Sequence, residues 1–436
     1  MVKDLRDYIR LLEEEEWIKR VSEPLSTKYE IASILKKHDG EKAVSFAKVK
    51  GFKLGVVGNL CCRRDFVAKG FGISPKQLTS RIIRAAKTPI EPKVFNNGVS
   101  QELEVEEVDL CRDLPILTHH EHDRGPYVTS SIIVAKDPET GRANASYHRM
   151  LLAGKKKLVA RLVEGRDLHT FYSKSRSLGK PLEAAVVIGA PLQLLIAAAM
   201  SYGDVCELDL AGGLVEAPLE LVRCRTIGVE VPRYAEIVLE GRLLLDQAEE
   251  GPFVDITGSY DVVREQPIFE VKLITRRDDA FYQAILPSGQ EHRLLMGMPK
   301  EAQICDKVEA VSDVVGVALT PAGSNWLDAA ISIRKRHPQE PYLTAMAAIT
   351  AHYSLKRVVI VDEDVDVNDA LSVEKAVLER AHPVEDYFVL KNVKGSTLDK
   401  SGIRSEGAEL PPAKIIIDAT IKGKKEFFET GKIPSS

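Results

Sequence analysis

The chain has 436 residues, a formal net charge of −4, 44% hydrophobic residues and 28% charged residues. That length exceeds one ordinary core and predicts two or three domains. Nothing in that near-even charge balance suggests a surface built for nucleic acid or anionic membrane.

In chain order, residues 4–20 read as a helix capped by Asp4, with Leu5, Tyr8, Ile9, Leu12 and Trp17 at roughly helical spacing. A second helix is predicted over 29–37, strands over 43–47 and 54–57, and a helix from Pro75 to about 85. These elements make an N-terminal α/β domain over 1–105. The texture then becomes β-rich: strands over 130–135, 145–152 and 158–163, separated by turns at 137–141 and 153–157, form an antiparallel meander. The apolar run 184–200 contains Gly189, Pro191 and Gln193, so it reads as a strand over 184–188 and a helix with Pro191 in its first turn, not as a membrane span. Further strands are predicted over 224–229, 236–240 and 268–274, giving a central β domain over 106–304. Strands over 357–361, 387–390 and 414–418 and a helix over 371–381 predict a C-terminal α/β domain over 305–436, with a frayed tail after Lys424. The N-terminus has no apolar signal core, and Cys61, Cys62, Cys111, Cys206, Cys224 and Cys305 contain no CxxC pair. A cytoplasmic protein with free thiols is expected.

Several motifs fail. Gly70-Phe71-Gly72 opens a dinucleotide pattern that Pro75 breaks, and neither a P-loop nor a GxSxG elbow occurs. Asp362, Asp364 and Asp366 imitate a calcium loop but meet Val367 and Val373 where glycine and glutamate belong. His119-His120-Glu121-His122-Asp123 is dense in ligands, but neighbours on an extended chain face opposite ways. A hydrogen-bonded loop fixed by Asp123, Arg124, Gly125 and Tyr127 is expected there.

Three segments carry chemistry. In Asn144-Ala145-Ser146-Tyr147-His148-Arg149, Asn144, Ser146 and His148 share one strand face. An asparagine oxygen there and a carboxylate from Glu207, in Glu207-Leu208-Asp209-Leu210-Ala211-Gly212, suit Mg2+ or Mn2+ rather than zinc. In the third, Glu249 to Gly258, Gly251-Pro252 bends the chain between Glu250 and Asp255. Two acids and an arginine can then divide into a carboxylate paired with Arg149 and an acid of raised pKa. Alone, each segment also fits a solvated turn or surface acid.

Together and in this order, the segments resemble the UbiD-like decarboxylases, which use prenylated FMN. The resemblance also takes in Leu114-Pro115, the 123–127 loop, Thr275 to Tyr282, Pro287, Glu291-His292 and Ile417-Asp418-Ala419-Thr420. It implies a mixed α+β fold: a central split β-barrel, similar to flavin reductases, flanked by N-terminal and C-terminal α/β domains, the last making a homo-oligomer contact. It implies metal ligation by Asn144 and Glu207, bridging to the flavin phosphate, with Mn2+ or Mg2+ as the metal and K+ as a further cation. The family's histidine position is Asp167 here, with His169 two residues on, so the third ligand is Asp167, His169 or water. Implied flavin contacts are Tyr147, His148, Arg149, Arg161, Leu162, Val163 and Arg166.

The implied catalytic trio is Arg149, Glu250 and Asp255. The flavin takes the electrons through a covalent step as CO2 leaves, Asp255 returns a proton to the vacated carbon, and Glu250 and Arg149 orient the carboxylate. A flavin prenyltransferase would supply the cofactor. One archaeal branch of the family decarboxylates trans-anhydromevalonate 5-phosphate to isopentenyl phosphate, a phosphate that His148, Arg149 or Arg293 would meet. Hydroxybenzoate-type acids are the second substrate class; 6% aromatic residues lean away from a large aromatic pocket. A flavin-binding subunit without activity is the remaining reading, against which the intact trio stands.

Overall fold

A computed structural model describes residues 2–203, 205–403 and 410–423. The chain forms two compact units, Met1–Leu295 and Met296–Ser436.

In the first unit, helix Leu5–Glu14 starts where the Asp4 side chain accepts from Asp7 N at 2.8 Å, and it buries Leu5, Tyr8, Ile9 and Leu12. The expected helix over 4–20 is too long: Glu16 takes a left-handed turn at φ 58° and Ile18–Val21 is a strand. The acid run Glu13 to Glu16 weakens the last helical turn by like-charge repulsion. Trp17, freed from the helix face, stacks on Phe66 at 4.9 Å. The strand joins Ala43–Phe46, Gly55–Gly58 and Phe281–Ala284 in a four-stranded mixed sheet.

The centre of this unit is a nine-stranded sheet, antiparallel at every pairing. Its order is Tyr127–Val128, Met150–Leu152, Lys157–Ala160, Arg264–Arg276, Ile237–Glu250, Leu182–Ile188, Ile132–Lys136 and Ala143–Tyr147, with Leu103–Val105 added beside Arg264–Arg276. Alternation along the strands buries Val186, Ile188, Ile237, Leu239, Phe269 and Val271 in the main core, against Leu168, Phe171 and Tyr172 of helix Asp167–Ser177. Register shifts at Glu240/Gly241 and Leu243/Gln247 bend the two longest strands. At the first shift a Cβ on Gly241 would stand 2.1 Å from Glu270 O, so only glycine fits.

Two expectations fail here. The predicted strand over 145–152 is two strands, Ala143–Tyr147 and Met150–Leu152, and the predicted strand over 224–229 is the turn between Glu220–Arg223 and Glu230–Pro232. In the first case the chain changes strand partners at His148-Arg149, where no Gly or Pro marks a break. In the second, Glu240 accepts from Arg225 N and Thr226 N, holding the segment as a turn.

In the second unit a five-stranded sheet runs Val314–Leu319, Asp328–Ile333, Arg357–Asp362, Ala413–Ala419, Tyr387–Lys391, the middle three parallel. Ala329, Ile331, Val358 and Ile360 face helix Glu340–Ala351 on one side, while Ala330, Val359 and Val361 face helix Ala370–Arg380 on the other. Asp364, in the acidic turn after Arg357–Asp362, is clasped by Arg380 at 2.8 Å. The tail after Lys424 lies outside the described residues. All six cysteines are free, and no helix among the described residues is long and apolar enough to cross a membrane.

Candidate active site

The site forms where the central sheet curls back on itself. His148 N donates to Ser131 O at 3.1 Å on one side, and Arg149 O accepts from Arg161 N at 3.1 Å on the other. Ser131 Oγ also donates to His148 O. The dipeptide His148-Arg149 therefore bridges the two sheet ends and carries its side chains into the seam.

Arg149 is the hub. Its Nε and Nη2 donate to the two oxygens of Glu250 at 2.8 and 2.9 Å, Nη2 also reaches Asp261 at 3.0 Å, and Nη1 reaches Asp255 at 3.4 Å. The Glu250 side chain is fully buried, and this pair satisfies both of its oxygens. The three acids lie on one excursion of chain. Glu250 ends the long strand, the Gly251-Pro252 bond is cis, and Phe253–Val254 pairs with Tyr260–Asp261. Phe253 lies 5.0 Å beneath the Arg149 guanidinium. Asp255 Oδ1 accepts from Ile256 N at 2.6 Å, which leaves Oδ2 toward Arg149. Sequence reasoning found Arg149, Glu250 and Asp255, and the structure brings them together; it missed Asp261. The available signal was the turn residue Gly258, at φ +80°, which folds 253–261 into a hairpin and sets Asp261 opposite Phe253.

The 119–127 loop clamps this hairpin. His120 N donates to Asp123 at 2.9 Å, Arg124 pairs with Glu249 at 2.5 Å, and Arg124 N donates to Pro252 O at 3.1 Å. Tyr127 packs on Phe253 with ring centroids 4.3 Å apart, and its hydroxyl accepts from Gly251 N at 3.1 Å. Burial, then Glu250, pushes the Tyr127 phenol up and keeps it protonated. The loop is thus hydrogen-bonded through Asp123, Arg124 and Tyr127, as expected. Beside the hairpin, Ser288 Oγ stands 4.0 Å from where a Cβ on Gly258 would be, and Ser288 N donates to His292 Nδ1 at 3.1 Å. Burial holds the His292 imidazole below its ordinary pKa against the pull of Asp255. The next residue, Arg293, has a buried Nε–H with no acceptor and no carboxylate partner among the described residues.

On the other flank, Glu207 Oε2 accepts from Asn144 Nδ2 at 2.9 Å and from Ala145 N at 3.0 Å. Burial pushes the Glu207 carboxyl up to about 7, and nearby Asp167 adds to the rise. Asp167 begins helix Asp167–Ser177 and pairs with Arg142 at 3.0 Å. His169, two residues on, points to a different side of that helix.

Burial lowers His148 to about 4, so the ring is neutral. Its Nδ1–H must donate to Arg161 O at 2.9 Å, which leaves Nε2 to accept from Ser146 Oγ at 2.9 Å. That hydroxyl has one proton, yet Asn144 Oδ1 also lies 2.9 Å from it. Two acceptors face each other, an arrangement that a cation on Asn144 Oδ1 resolves. Oxygen donors, a buried acid and a crowded acceptor pair all fit a hard divalent ion.

The remaining predicted contacts surround this flank. Tyr147 projects to the opposite strand face and its hydroxyl donates to Leu195 O at 3.1 Å. Leu162 is buried with its N–H on Gln266 at 2.7 Å, while Val163 and Arg166 are exposed. Arg161 donates to Leu162 O and has no carboxylate partner among the described residues; burial, then Arg264 and Arg149, lowers its pKa. Arg161 and Arg166 are cations without counter-ions among the described residues, which fits a phosphate-bearing ligand.

Residues 93–290 match the 3-octaprenyl-4-hydroxybenzoate carboxy-lyase Rift-related domain (UbiD), and residues 9–86 and 293–419 match the N-terminal and C-terminal domains of the same family. The chain is 39% identical over 419 residues to an anhydromevalonate phosphate decarboxylase of Methanothermobacter thermautotrophicus, covering 95% of this chain and 96% of the relative. Among solved structures it is similar to the UbiD-class enzyme HmfF of Pelotomaculum thermopropionicum in complex with FMN, at TM-score 0.94 and 36% identity over 99% of this chain and 97% of that one. An evolved dimeric form of HmfF in complex with prFMN superposes at TM-score 0.92 and 34% identity, over 99% and 97% of the two chains.

Proposed function

Because the chain belongs to the UbiD carboxy-lyase family, we propose that it is a prenylated-FMN-dependent decarboxylase converting trans-anhydromevalonate 5-phosphate to isopentenyl phosphate and CO2. The observation that carries this is Arg149 in the sheet seam, gripped by buried Glu250 and touching Asp255. The substrate follows the name of the 39% identical relative.

When bound, prenylated FMN supplies the electron sink for decarboxylation. Arg149 orients the substrate carboxylate, Glu250 holds Arg149, and Asp255 delivers a proton to the carbon that loses CO2. Asn144 and Glu207 hold Mn2+ or Mg2+, with Asp167, the residue on Glu207's side of its helix, as third ligand. Arg161 and Arg166 meet the cofactor phosphate, and His148, Leu162 and Val163 line its approach. Of the cations considered for the substrate phosphate, both ring nitrogens of His148 are engaged and Arg149 serves the carboxylate. Arg293, with its unanswered Nε–H beside the hairpin, is the assignment.

The curled sheet is taken as the split barrel of a flavin-reductase-like domain over 106–304, between domains at 1–105 and 305–436. A cytoplasmic homo-oligomer, loaded by a flavin prenyltransferase, completes the proposal. Hydroxybenzoate-type acids remain the second reading because the family description names one. Co-expression with a flavin prenyltransferase, mass spectrometry of the released cofactor, and parallel assays with trans-anhydromevalonate 5-phosphate and 4-hydroxybenzoate test it. Turnover of the first acid alone supports the assignment; turnover of the second alone replaces the substrate.

A further inference from the structure

We infer that Asp261 is a positioning residue: clamped by Arg264, it occupies the Nη2 of Arg149 and so keeps the guanidinium from gripping the reacting carboxylate with two hydrogen bonds. A guanidinium has five N–H donors, one on Nε and two on each terminal nitrogen. Glu250 takes the Nε donor and one from Nη2, and Asp261 takes the second Nη2 donor at 3.0 Å. Nη1 alone keeps capacity to spare, its one carboxylate contact being the 3.4 Å approach to Asp255. Asp261 does not drift from this post, because Arg264 holds its two oxygens at 2.7 and 2.8 Å. The Asp261 side chain is largely enclosed, at 14% exposure, and Arg149 at 12%.

The consequence concerns the leaving group and rests on the decarboxylase reading. A carboxylate held by the parallel Nη1 and Nη2 donors is stabilised as an anion, and that stabilisation is lost as it departs as neutral CO2. Binding that favours the ground state raises the barrier. With Nη2 filled by Asp261, the substrate carboxylate receives one guanidinium nitrogen, enough to orient it and no more. Asp261 touches neither substrate nor proton, so its role is exerted through Arg149.

The test is Asp261→Val, which removes the acceptor while keeping a similar volume. In enzyme loaded by co-expression with the prenyltransferase, kcat and KM for trans-anhydromevalonate 5-phosphate are expected to fall together, kcat by about tenfold, the worth of one charge-assisted hydrogen bond. Asp261→Asn, which keeps an oxygen for Nη2, is expected to restore most of kcat. Should the valine variant fail to fold, Asp261→Ser, too short to reach Nη2, carries the same expectation. A crystal structure of the flavin-free variant gives a second readout, independent of turnover: with Asp261 gone the Arg149 guanidinium is expected to shift toward Asp255 and shorten the Nη1 pair from 3.4 Å to about 2.8 Å. A wild-type enzyme without turnover would sink the decarboxylase reading and leave the Arg149 geometry to decide the role of Asp261. An Arg149 unmoved in the variant, or a lower kcat with unchanged or higher KM, overturns the inference.

Discussion

Tyr147 and Met150 lie three residues apart in the chain yet belong to opposite ends of the central sheet, Tyr147 on its last strand and Met150 beside the first. Three residues span at most about 11 Å. In a flat sheet the six strand spacings between these two strands would separate them by about 29 Å. The sheet must therefore curl until its ends almost meet, and His148 and Arg149 occupy the gap. The arginine that organises the acids and the histidine that hydrogen-bonds toward Ser146 and Asn144 are consecutive because they make up this bridge.

The neutral state of His148 has a pH signature. Its pKa falls from 6.5 to about 4 on folding, so the unfolded chain takes up the proton first as pH drops. The associated stability is complete above pH 6.5 and is lost between 6.5 and 4, by up to about 3 kcal/mol. Urea unfolding of flavin-free wild type and His148→Gln should differ most near neutrality and converge as pH approaches 4. A gap independent of pH would show that the His148 pKa does not change on folding.

Glu250→Gln leaves Arg149 deep in the seam without its two-point partner. A loss of about 3 kcal/mol in unfolding free energy is expected, together with loss of turnover. Asp261 and Asp255 keep Arg149 partly compensated, so the protein should still fold. Unchanged stability would mean that the Arg149–Glu250 pair is open in solution.

Glu207→Ala removes one of the three oxygen ligands proposed for the divalent ion. Metal content by elemental analysis and flavin content by absorbance should both drop about tenfold or more after gel filtration. Metal content equal to wild type would place the ion elsewhere.

Much of this was legible in the chain because local rules held locally. Asp4 caps the first helix, and strands such as Leu182–Ile188 follow their apolar runs. Asn144, Ser146 and His148 share a face because alternation demands it. What escaped depended on tertiary closure. Residues 145–152 contain no Gly or Pro that would mark His148-Arg149 as a change of strand partner; only the curl of the whole sheet decides that. Asp261 escaped because its function comes from a hairpin that returns it beside Arg149. Arg293 drew notice only as a stray cation, since an unsatisfied Nε–H is invisible until the surrounding chain has folded.

The account rests on proton delivery by Asp255 to the carbon vacated by CO2. The most direct measurement is turnover of trans-anhydromevalonate 5-phosphate in D2O by prenylated-FMN-loaded protein, comparing wild type with Asp255→Asn. Wild type should release CO2 and isopentenyl phosphate in equal amounts, with a single deuterium on the terminal alkene carbon, while Asp255→Asn retains the flavin and gives no product. Loaded wild type that leaves the acid intact, or an Asp255→Asn variant that turns over at the wild-type rate, would contradict it.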